Sequence, residues 1–315
     1  LNKKQSLLNN QHNTFVLMIQ DIVKRLEPLP SKSKLIIFGG GYSGQKIASV
    51  GRKLGVKVLC SRRTKGSEGA DFIFNADNEL SNEIFEGATH VLSCVPPLLN
   101  GEDPVLSKVK TKLLNSKTLK WVGYLSTTGV YGDKQGGWVN ETTYPNPQQD
   151  RSIRRFSCEN EWLDTKLPIQ ILRLPGIYGP GRSIFESLLK GTTKMIDKPG
   201  QVFSRIHVDD IAGAVLYLIN LYSQGKNPSL VNISDDLPTN NLEVINFAAK
   251  LANKSLTKTI PFEIAQKTMS PMALSFWQEN RKVDNKLLCE KLGYSLIYPN
   301  YKSGLKNCFS QLKMN

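Results

Sequence analysis

Residues 35–44, Leu-Ile-Ile-Phe-Gly-Gly-Gly-Tyr-Ser-Gly, constrain the fold more than any other stretch of the sequence. Four apolar residues lead into the pattern Gly39-x-Gly41-x-x-Gly44, and apolar residues at helical spacing follow it: Ile47, Ala48, Val50 and Leu54. This order predicts a buried strand, a tight turn and an amphipathic helix. An ordinary glycine-rich turn is the alternative interpretation, but the strand before it and the helix after it favour a dinucleotide-binding unit.

The three glycines have different roles in such a unit. The first permits the tight turn, the second lets the backbone approach a pyrophosphate, and the third lets helix and strand pack closely. The unpaired N–H groups at the start of the helix then face the phosphates. The predicted pyrophosphate-binding residues are Gly39, Gly41, Tyr42, Ser43 and Gly44.

The end of the second predicted strand distinguishes between two cofactors. Val56 to Cys60 predict this strand, which ends in Ser61-Arg62-Arg63, and no Asp or Glu occurs from Val56 through Lys65. An acidic residue here would bind the ribose 2′-hydroxyl of NAD, whereas arginines accommodate the 2′-phosphate of NADP. We therefore expect NADP rather than NAD, bound by Ser61, Arg62 and Arg63. Two solvent-exposed arginines that close a strand are the alternative.

Three further apolar segments predict the rest of a sheet. They cover 71–74, 91–95 and 121–125, with a helical pattern at 104–115 between the last two. Strands that alternate with helices predict an α/β fold with a doubly wound parallel Rossmann sheet. The carboxyl ends of such strands face the ligand, so we add four residues to the expected cofactor site: Asp77, Cys94, Val95 and Pro96.

Bulk composition excludes several classes of function. The 315 residues carry a net charge of +14 in scattered lysines and arginines, without an aromatic-rich basic motif, so nucleic-acid binding is not expected. No apolar run approaches the ~20 residues that span a bilayer, and no membrane association is expected. Five cysteines without a CxxC pair indicate free thiols and a cytoplasmic location, and three separated histidines predict no metal site.

The first 32 residues precede this unit as an N-terminal extension. Phe15, Ile19, Ile22 and Leu26 share one helical face, which predicts a helix packed on the domain. The chain begins with Leu1, and we take Met18 as the natural start, so that residues 1–17 would not be native.

Later motifs suggest a family. They are Ser126-Thr127-Thr128-Gly129-Val130-Tyr131-Gly132, the stretch Arg173-Leu174-Pro175-Gly176-Ile177-Tyr178-Gly179-Pro180-Gly181, and Arg205-Ile206-His207-Val208-Asp209-Asp210-Ile211-Ala212. Together with the glycines, and over about residues 35–305, the sequence resembles the extended short-chain dehydrogenase/reductase family, the nucleoside-diphosphate-sugar epimerases and dehydratases. The segment 282–299 is similar to an atypical, epimerase-like branch of that family.

The resemblance implies two lobes, a cofactor and a substrate class. Residues 33–175 and about 205–233 would form the NADP-binding lobe, and a smaller α/β substrate lobe would comprise about 176–204 and 234–315. Ser126 and Pro175 would join the cofactor site. The substrate would be a small molecule, such as a nucleotide sugar, and the family commonly forms homodimers.

The expected catalytic site departs from the family pattern. Active members carry Tyr-x-x-x-Lys on the helix after the fifth strand, with a glutamate four residues beyond the lysine. If Glu159 takes that glutamate position, Arg155 falls on the lysine and Arg151 on the tyrosine. Arginine stays protonated and cannot replace a phenol in proton transfer, although Arg155 can still donate to ribose hydroxyls. Thr127 matches the residue that hydrogen-bonds the reacting oxygen.

Other candidates for proton transfer remain open. Tyr131, Tyr144 and Tyr178 could donate a proton, but packing or turn roles explain each of them, and a structural role explains His207. Arg151, Arg154 and Arg155 could instead clamp a carboxylate or phosphate, or form a solvated helix face.

Two functions remain. The first is an NADP-dependent oxidoreductase or epimerase-like enzyme with a small anionic substrate, and the second is an NADP-binding regulatory or scaffold protein without turnover.

Overall fold

The computed structural model describes residues 22–64, 66–67 and 69–314. The predicted start at Met18 and most of the predicted N-terminal helix lie outside these described residues. Ile22, from the end of that predicted helix, is 2% exposed and packs in the main hydrophobic core.

A seven-stranded parallel sheet forms the centre of the molecule, as the sequence predicts. Its strands are β1 (Lys34–Phe38), β2 (Lys57–Arg62), β3 (Phe72–Ile73), β4 (His90–Ser93), β5 (Trp121–Thr127), β7 (Ile169–Leu174) and β11 (Leu230–Asn232). Their spatial order is β11-β7-β5-β4-β1-β2-β3. The chain therefore reverses direction across the sheet between β1 and β4, where ligands bind in doubly wound folds.

Three short parallel ladders lie outside this sheet. They pair β6 (Trp138–Val139) with β13 (Lys282–Val283), β8 (Gly176–Tyr178) with β10 (Arg205–His207), and β9 (Ile196–Asp197) with β12 (Ile260–Pro261). Because β6 follows β5 and β8 follows β7 in the chain, the β6–β13 and β8–β10 ladders bring later segments to the edge where β5 and β7 end.

Helices cover both faces of the sheet. In chain order they are α1 (Tyr42–Lys53), α2 (Pro104–Leu114), α3 (Asp150–Asp164), α4 (Phe185–Leu189), α5 (Val208–Ser223), α6 (Asn241–Ala252), α7 (Phe262–Ala265), α8 (Pro271–Trp277) and α9 (Tyr301–Met314), with a π-helical turn at Leu287–Lys291. Apolar residues of α1 and α5 belong to the core on one face. Those of α2 and α3 belong to the core on the other. Every described helix is too short or too polar to cross a membrane.

The carboxylate of Asp210 attaches the C-terminal segment to α5. It accepts hydrogen bonds from the backbone N–H groups of Ile297 (2.7 Å) and Tyr298 (2.9 Å) and from the Tyr294 hydroxyl (3.2 Å). Burial raises the pKa of Asp210 to about 6. A separate cluster of buried apolar residues packs α4, α6 and α9 together.

Candidate functional site

The predicted glycine turn lies between the carboxyl ends of β1 and β2. Gly39 has a φ of +92°, which favours glycine, and its N–H donates to Ser61 Oγ at 2.9 Å. The next N–H, of Gly40, donates to the carbonyl of Ser61 at 2.7 Å. The turn is thus fixed in place by the residue that precedes Arg62.

Gly44 and Gly41 differ in the space around them. A Cβ added to Gly44 would lie 2.3 Å from the carbonyl oxygen of Gly39, so only glycine allows the helix to start this close to the strand. A Cβ added to Gly41 would meet no atom within 4 Å. Gly41 is the N-cap of α1, without a side-chain cap and without an acidic residue in the first turn. The turn therefore leaves an open, unpaired helix N-terminus.

Tyr42 connects this turn to a loop that is distant in sequence. The sequence did not predict this connection. Its hydroxyl donates to the carbonyl of Pro180 at 2.9 Å, and the Arg182 guanidinium lies 5.6 Å from its ring centroid. Burial raises the pKa of the Tyr42 phenol, so the hydroxyl stays protonated. Tyr42 therefore fixes the Gly179–Arg182 loop beside the start of α1.

The ends of β2 and β3 form the next part of the candidate cofactor site. Arg62 is partly buried and Arg63 is exposed. The Asn75 amide donates to the carbonyl of Arg63 at 3.0 Å, and Asn75 Oδ1 accepts from the N–H of the exposed Asp77 at 3.1 Å. Lys108 of α2 donates to the carbonyl of Asn75 at 2.7 Å, a support that no sequence motif indicates.

A cleft of about 690 Å³ lies beyond the ends of β5 and β7. Of the predicted site residues, five line it: Pro96, Thr127, Arg151, Arg155 and Pro175. The glycine turn and the Ser61–Arg63 segment lie outside its lining. The two regions are adjoining, since a Cβ added to Gly39 would lie 3.1 Å from Val95, the neighbour of Pro96.

Thr127 and Ser126 end β5 with different surroundings. Thr127 Oγ1 accepts from the N–H of Gly129 at 3.1 Å and caps a short 3-10 turn at the cleft wall. Ser126 is buried, and its hydroxyl donates to Glu159 at 2.5 Å. Glu159 in turn pairs with Arg173 of β7, at 2.6 Å between Oε2 and Nη2. The predicted glutamate position is thus occupied by a buried structural carboxylate.

Arg155 joins two strand ends. Its Nη1 donates to the carbonyls of Val95 (3.3 Å) and Leu125 (3.0 Å) and to the Tyr124 hydroxyl (3.2 Å). The guanidinium also borders the cleft. It therefore fixes the relative positions of the segments after β4 and β5, and binding of ribose hydroxyls by Arg155 stays a prediction.

Arg151, at the start of α3, is stacked on an aromatic ring. Its Cζ lies 3.9 Å from the ring centroid of Phe276 in α8, and Phe276 is itself 55% exposed. Burial lowers the pKa of Arg151, with an opposing effect of Glu279. Arg281 Nη1 pairs with Glu279 at 2.7 Å. Phe276, Glu279 and Arg281 carry no recognisable motif, so the sequence did not reveal their place in the cleft.

The charges that line the cleft are almost all positive. Within the described chain its lining contains a single carboxylate, Glu279, and six arginines: Arg151, Arg154, Arg155, Arg182, Arg205 and Arg281. Burial also lowers the pKa of Arg205. Guanidinium groups in such a cleft attract anions and bind carboxylates or phosphates in bidentate geometry.

The histidine expected to be structural is part of a buried cluster. His207 Nδ1 accepts from the N–H of Asp209 at 3.2 Å, and its Nε2 lies 4.0 Å from Cys308 Sγ. Burial lowers the pKa of His207 to about 4 and raises that of Cys308 to about 12. Both groups are therefore neutral near pH 7, and the cluster caps α5 rather than generating a thiolate. No group of three or more potential metal ligands occurs among the described residues.

The three tyrosine candidates have different environments. The Tyr131 hydroxyl donates to Asn232 Oδ1 at 2.8 Å within the core. Tyr178 lines the cleft, but burial raises the pKa of its phenol. Tyr144 is 82% exposed. Proton transfer by any of them stays a hypothesis.

The sheet order and the glycine turn define a doubly wound α/β protein of the Rossmann class. A solved structure from Silicibacter pomeroyi, described as a functionally unknown conserved protein, is 36% identical; the match covers 88% of this chain and 98% of that one, with a TM-score of 0.80. The chain belongs to the same family as this protein, and its fold is that of the epimerase/dehydratase structures.

Two further solved structures share the fold at lower identity. A protein from Methylobacillus flagellatus, described as an NAD-dependent epimerase/dehydratase, is 24% identical, with a TM-score of 0.69 over 90% of this chain and 100% of that one. The human epimerase family protein SDR39U1, solved with NADPH, is 15% identical, with a TM-score of 0.67 over 88% and 99%. No protein-family model and no curated protein sequence matches the chain.

Proposed function

We propose that this protein binds a nicotinamide dinucleotide, NADP in preference to NAD, and acts as an epimerase-like or reductase-like enzyme on a small anionic substrate such as a nucleotide sugar. The observation that carries the proposal is the open N-terminus of α1 at the glycine turn, where Gly41 has no atom within 4 Å of an added Cβ. A pyrophosphate fits such a turn because the unpaired N–H groups point at it. The human relative solved with NADPH supports the same cofactor class.

The preference for NADP rests on the end of β2. Arg62 and Arg63 follow Ser61, whose hydroxyl and carbonyl are both held by the glycine turn. Their guanidinium groups would bind a 2′-phosphate, for which the segment offers no competing carboxylate. The adenine would then lie near Asp77 on the loop that Lys108 supports.

The cleft would hold the substrate. The bound nicotinamide would supply or accept a hydride at the substrate carbon. Thr127 would orient and polarise the reacting oxygen with its hydroxyl, and Arg155 would keep the segments after β4 and β5 in register. Water or one of the tyrosines would carry the proton, because neither Arg151 nor Arg155 can release one at neutral pH.

This assignment includes two lobes with the boundaries expected from the sequence. The three small ladders support a substrate lobe that is attached to the sheet at several points. The five unpaired cysteines support a reducing compartment, and we assign the protein to the cytoplasm.

A non-catalytic NADP-binding protein is the second candidate. It is favoured by Arg155, which donates to three oxygens of the fold, and by Arg151, which stacks on Phe276. In this case NADP would stabilise the fold for a regulatory or scaffold role without turnover.

Two experiments test these assignments. The double variant Arg62→Ala/Arg63→Ala should lose NADPH affinity at least about tenfold and keep its NADH affinity, since a charged hydrogen bond contributes this much. Arg25→Ala is the control outside the site. Unchanged NADPH affinity in the double variant would overturn the preference for NADP.

Turnover separates the enzyme from the binding protein. Conversion of pooled nucleotide sugars and aldehydes, followed both as net NADPH oxidation and as product formed with NADP, should be abolished by Thr127→Ala while NADPH binding persists. NADPH binding with neither NADPH oxidation nor product formation in any pool would favour the binding protein.

A further inference from the structure

The Arg151 guanidinium is stacked on an aromatic ring in the cleft. The Phe276 ring covers one face of its guanidinium at 3.9 Å. Among the described residues no side chain or carbonyl accepts a hydrogen bond from it. A guanidinium stacked in this way keeps its in-plane N–H groups directed outwards, in the geometry that binds an oxyanion.

Arg151 and Thr127 line the same cleft. A Cβ added to Gly129 would lie 2.6 Å from Ser152 Oγ and 3.3 Å from Thr127 Oγ1. Ser152, the neighbour of Arg151, therefore packs on the same turn that Thr127 caps. An anion on Arg151 would therefore lie in the cleft that Thr127, the residue that we assign to the reacting oxygen, also lines.

Glu279 provides a second, independent indication of a ligand. Its Oε2 pairs with Arg281 at 2.7 Å, and Arg281 also donates to the carbonyl of Gly132 at 2.9 Å. Its Oε1 has no hydrogen-bond partner in the described chain. The oxygen is buried, and the residue as a whole is only 8% exposed. A buried carboxylate oxygen without a donor is costly, and a ligand hydroxyl would satisfy it.

We propose that the substrate carries an oxyanion, either a carboxylate or a phosphate ester, at its reacting end, and that Arg151 binds this group while Glu279 Oε1 accepts from a neighbouring hydroxyl. The inference rests on the proposed function, because Thr127 marks the reacting end only if the cleft holds the substrate. The substrate is then a hydroxylated acid or a sugar phosphate. The cleft would recognise the oxyanion next to its reacting carbon, in addition to the diphosphate if the substrate is a nucleotide sugar.

Matched ligand pairs test this assignment by isothermal titration calorimetry on the full chain saturated with NADPH. UDP-glucuronate and UDP-glucose differ by a carboxylate, and glucose 6-phosphate and glucose differ by a phosphate ester. In one pair the oxyanion ligand should bind at least about tenfold more tightly than its neutral counterpart. The pair that shows this preference identifies the oxyanion.

Substitutions show which residues cause the preference for the oxyanion ligand. Arg151→Gln should abolish it, Phe276→Leu should reduce it, and Arg25→Gln, outside the cleft, should leave it unchanged. Glu279→Gln should weaken both ligands of the preferred pair severalfold, because it removes the ionised acceptor.

Two results would overturn the inference: no preference in either pair, including no binding at all, or a preference that survives Arg151→Gln. Affinity for NADPH, measured on the same samples, separates this failure from that of the proposed function. If NADPH binds and the preference is absent, only the inference fails; if NADPH does not bind, the proposed function fails.

Discussion

Glu159 and Arg173 form a bidentate ion pair inside the fold, with Nε 3.0 Å from Oε1 and Nη2 2.6 Å from Oε2. The pair joins α3 to β7, and Ser126 at the end of β5 donates to the same carboxylate. Both charged side chains are at most 4% exposed. Three elements that surround the cleft are therefore held together by one buried carboxylate, whose charge needs all of these donors.

Glu159→Gln should destabilise the protein by about 3–5 kcal/mol, since it leaves the buried Arg173 guanidinium without its counter-charge. Urea unfolding at pH 7 measures the change in free energy. The control is Glu161→Gln, an exposed glutamate on the same helix, for which we expect less than about 0.5 kcal/mol. Equal effects of the two substitutions would show that the ion pair does not support the fold.

Gly44→Ala should lower the stability of the protein, whereas Gly41→Ala should lower its affinity for NADPH. The methyl group on Gly44 would meet the Gly39 carbonyl oxygen at 2.3 Å, and we expect a loss of at least about 1–3 kcal/mol of stability. The methyl group on Gly41 meets no protein atom, so that stability should fall by less than about 1 kcal/mol. NADPH affinity should nevertheless decrease, because the methyl group occupies the space proposed for the pyrophosphate. A Gly41→Ala variant with unchanged NADPH affinity would contradict this.

His207 should make the fold less stable as the pH falls. Its pKa is about 4 in the folded protein, below the value of 6.5 for an unperturbed histidine. Between these values the unfolded chain binds more protons, so protonation favours unfolding as the pH drops from about 6.5 to 4. The stability advantage of the wild type over His207→Asn, which retains a capping side chain, should shrink by about 2 kcal/mol from pH 7 to pH 5. An advantage that is constant over this range would refute a neutral, buried His207.

Lys108→Met should loosen the loop proposed to contact the adenine. The Lys108 ammonium group donates to the carbonyls of Asn75 (2.7 Å), Ala76 (2.6 Å) and Asn78 (3.1 Å). Its loss should cost about 1–3 kcal/mol and speed amide hydrogen exchange in residues 75–78. Lys110→Met, an exposed lysine on the same helix, is the matched control. If residues 75–78 exchange their amide hydrogens at the same rate in both variants, Lys108 does not support the loop.

Local sequence patterns predicted the sheet because each of its units is built from consecutive residues. The strand, turn and helix of residues 34–53 follow from apolar spacing and three glycines, and the structure confirms the strands at 71–74, 91–95 and 121–125 with shifted ends. The family motifs also indicated an epimerase/dehydratase fold, which the solved structures confirm.

The cleft could not be predicted in the same way. Arg182, Glu279 and Arg281 reach it through the β8–β10 and β6–β13 ladders, whose strands are only two or three residues long. Such short ladders leave no periodic signal in the sequence. The role of Phe276 could not be predicted either, because its partner Arg151 is more than a hundred residues earlier in the chain.

The cofactor assignment is tested most directly by isothermal titration calorimetry of the purified full chain with NADPH and, separately, with NADH. We predict one NADPH site per chain and at least about tenfold weaker binding of NADH, because Arg62 and Arg63 would bind the 2′-phosphate. If neither dinucleotide binds, the open glycine turn at the start of α1 is not a cofactor site.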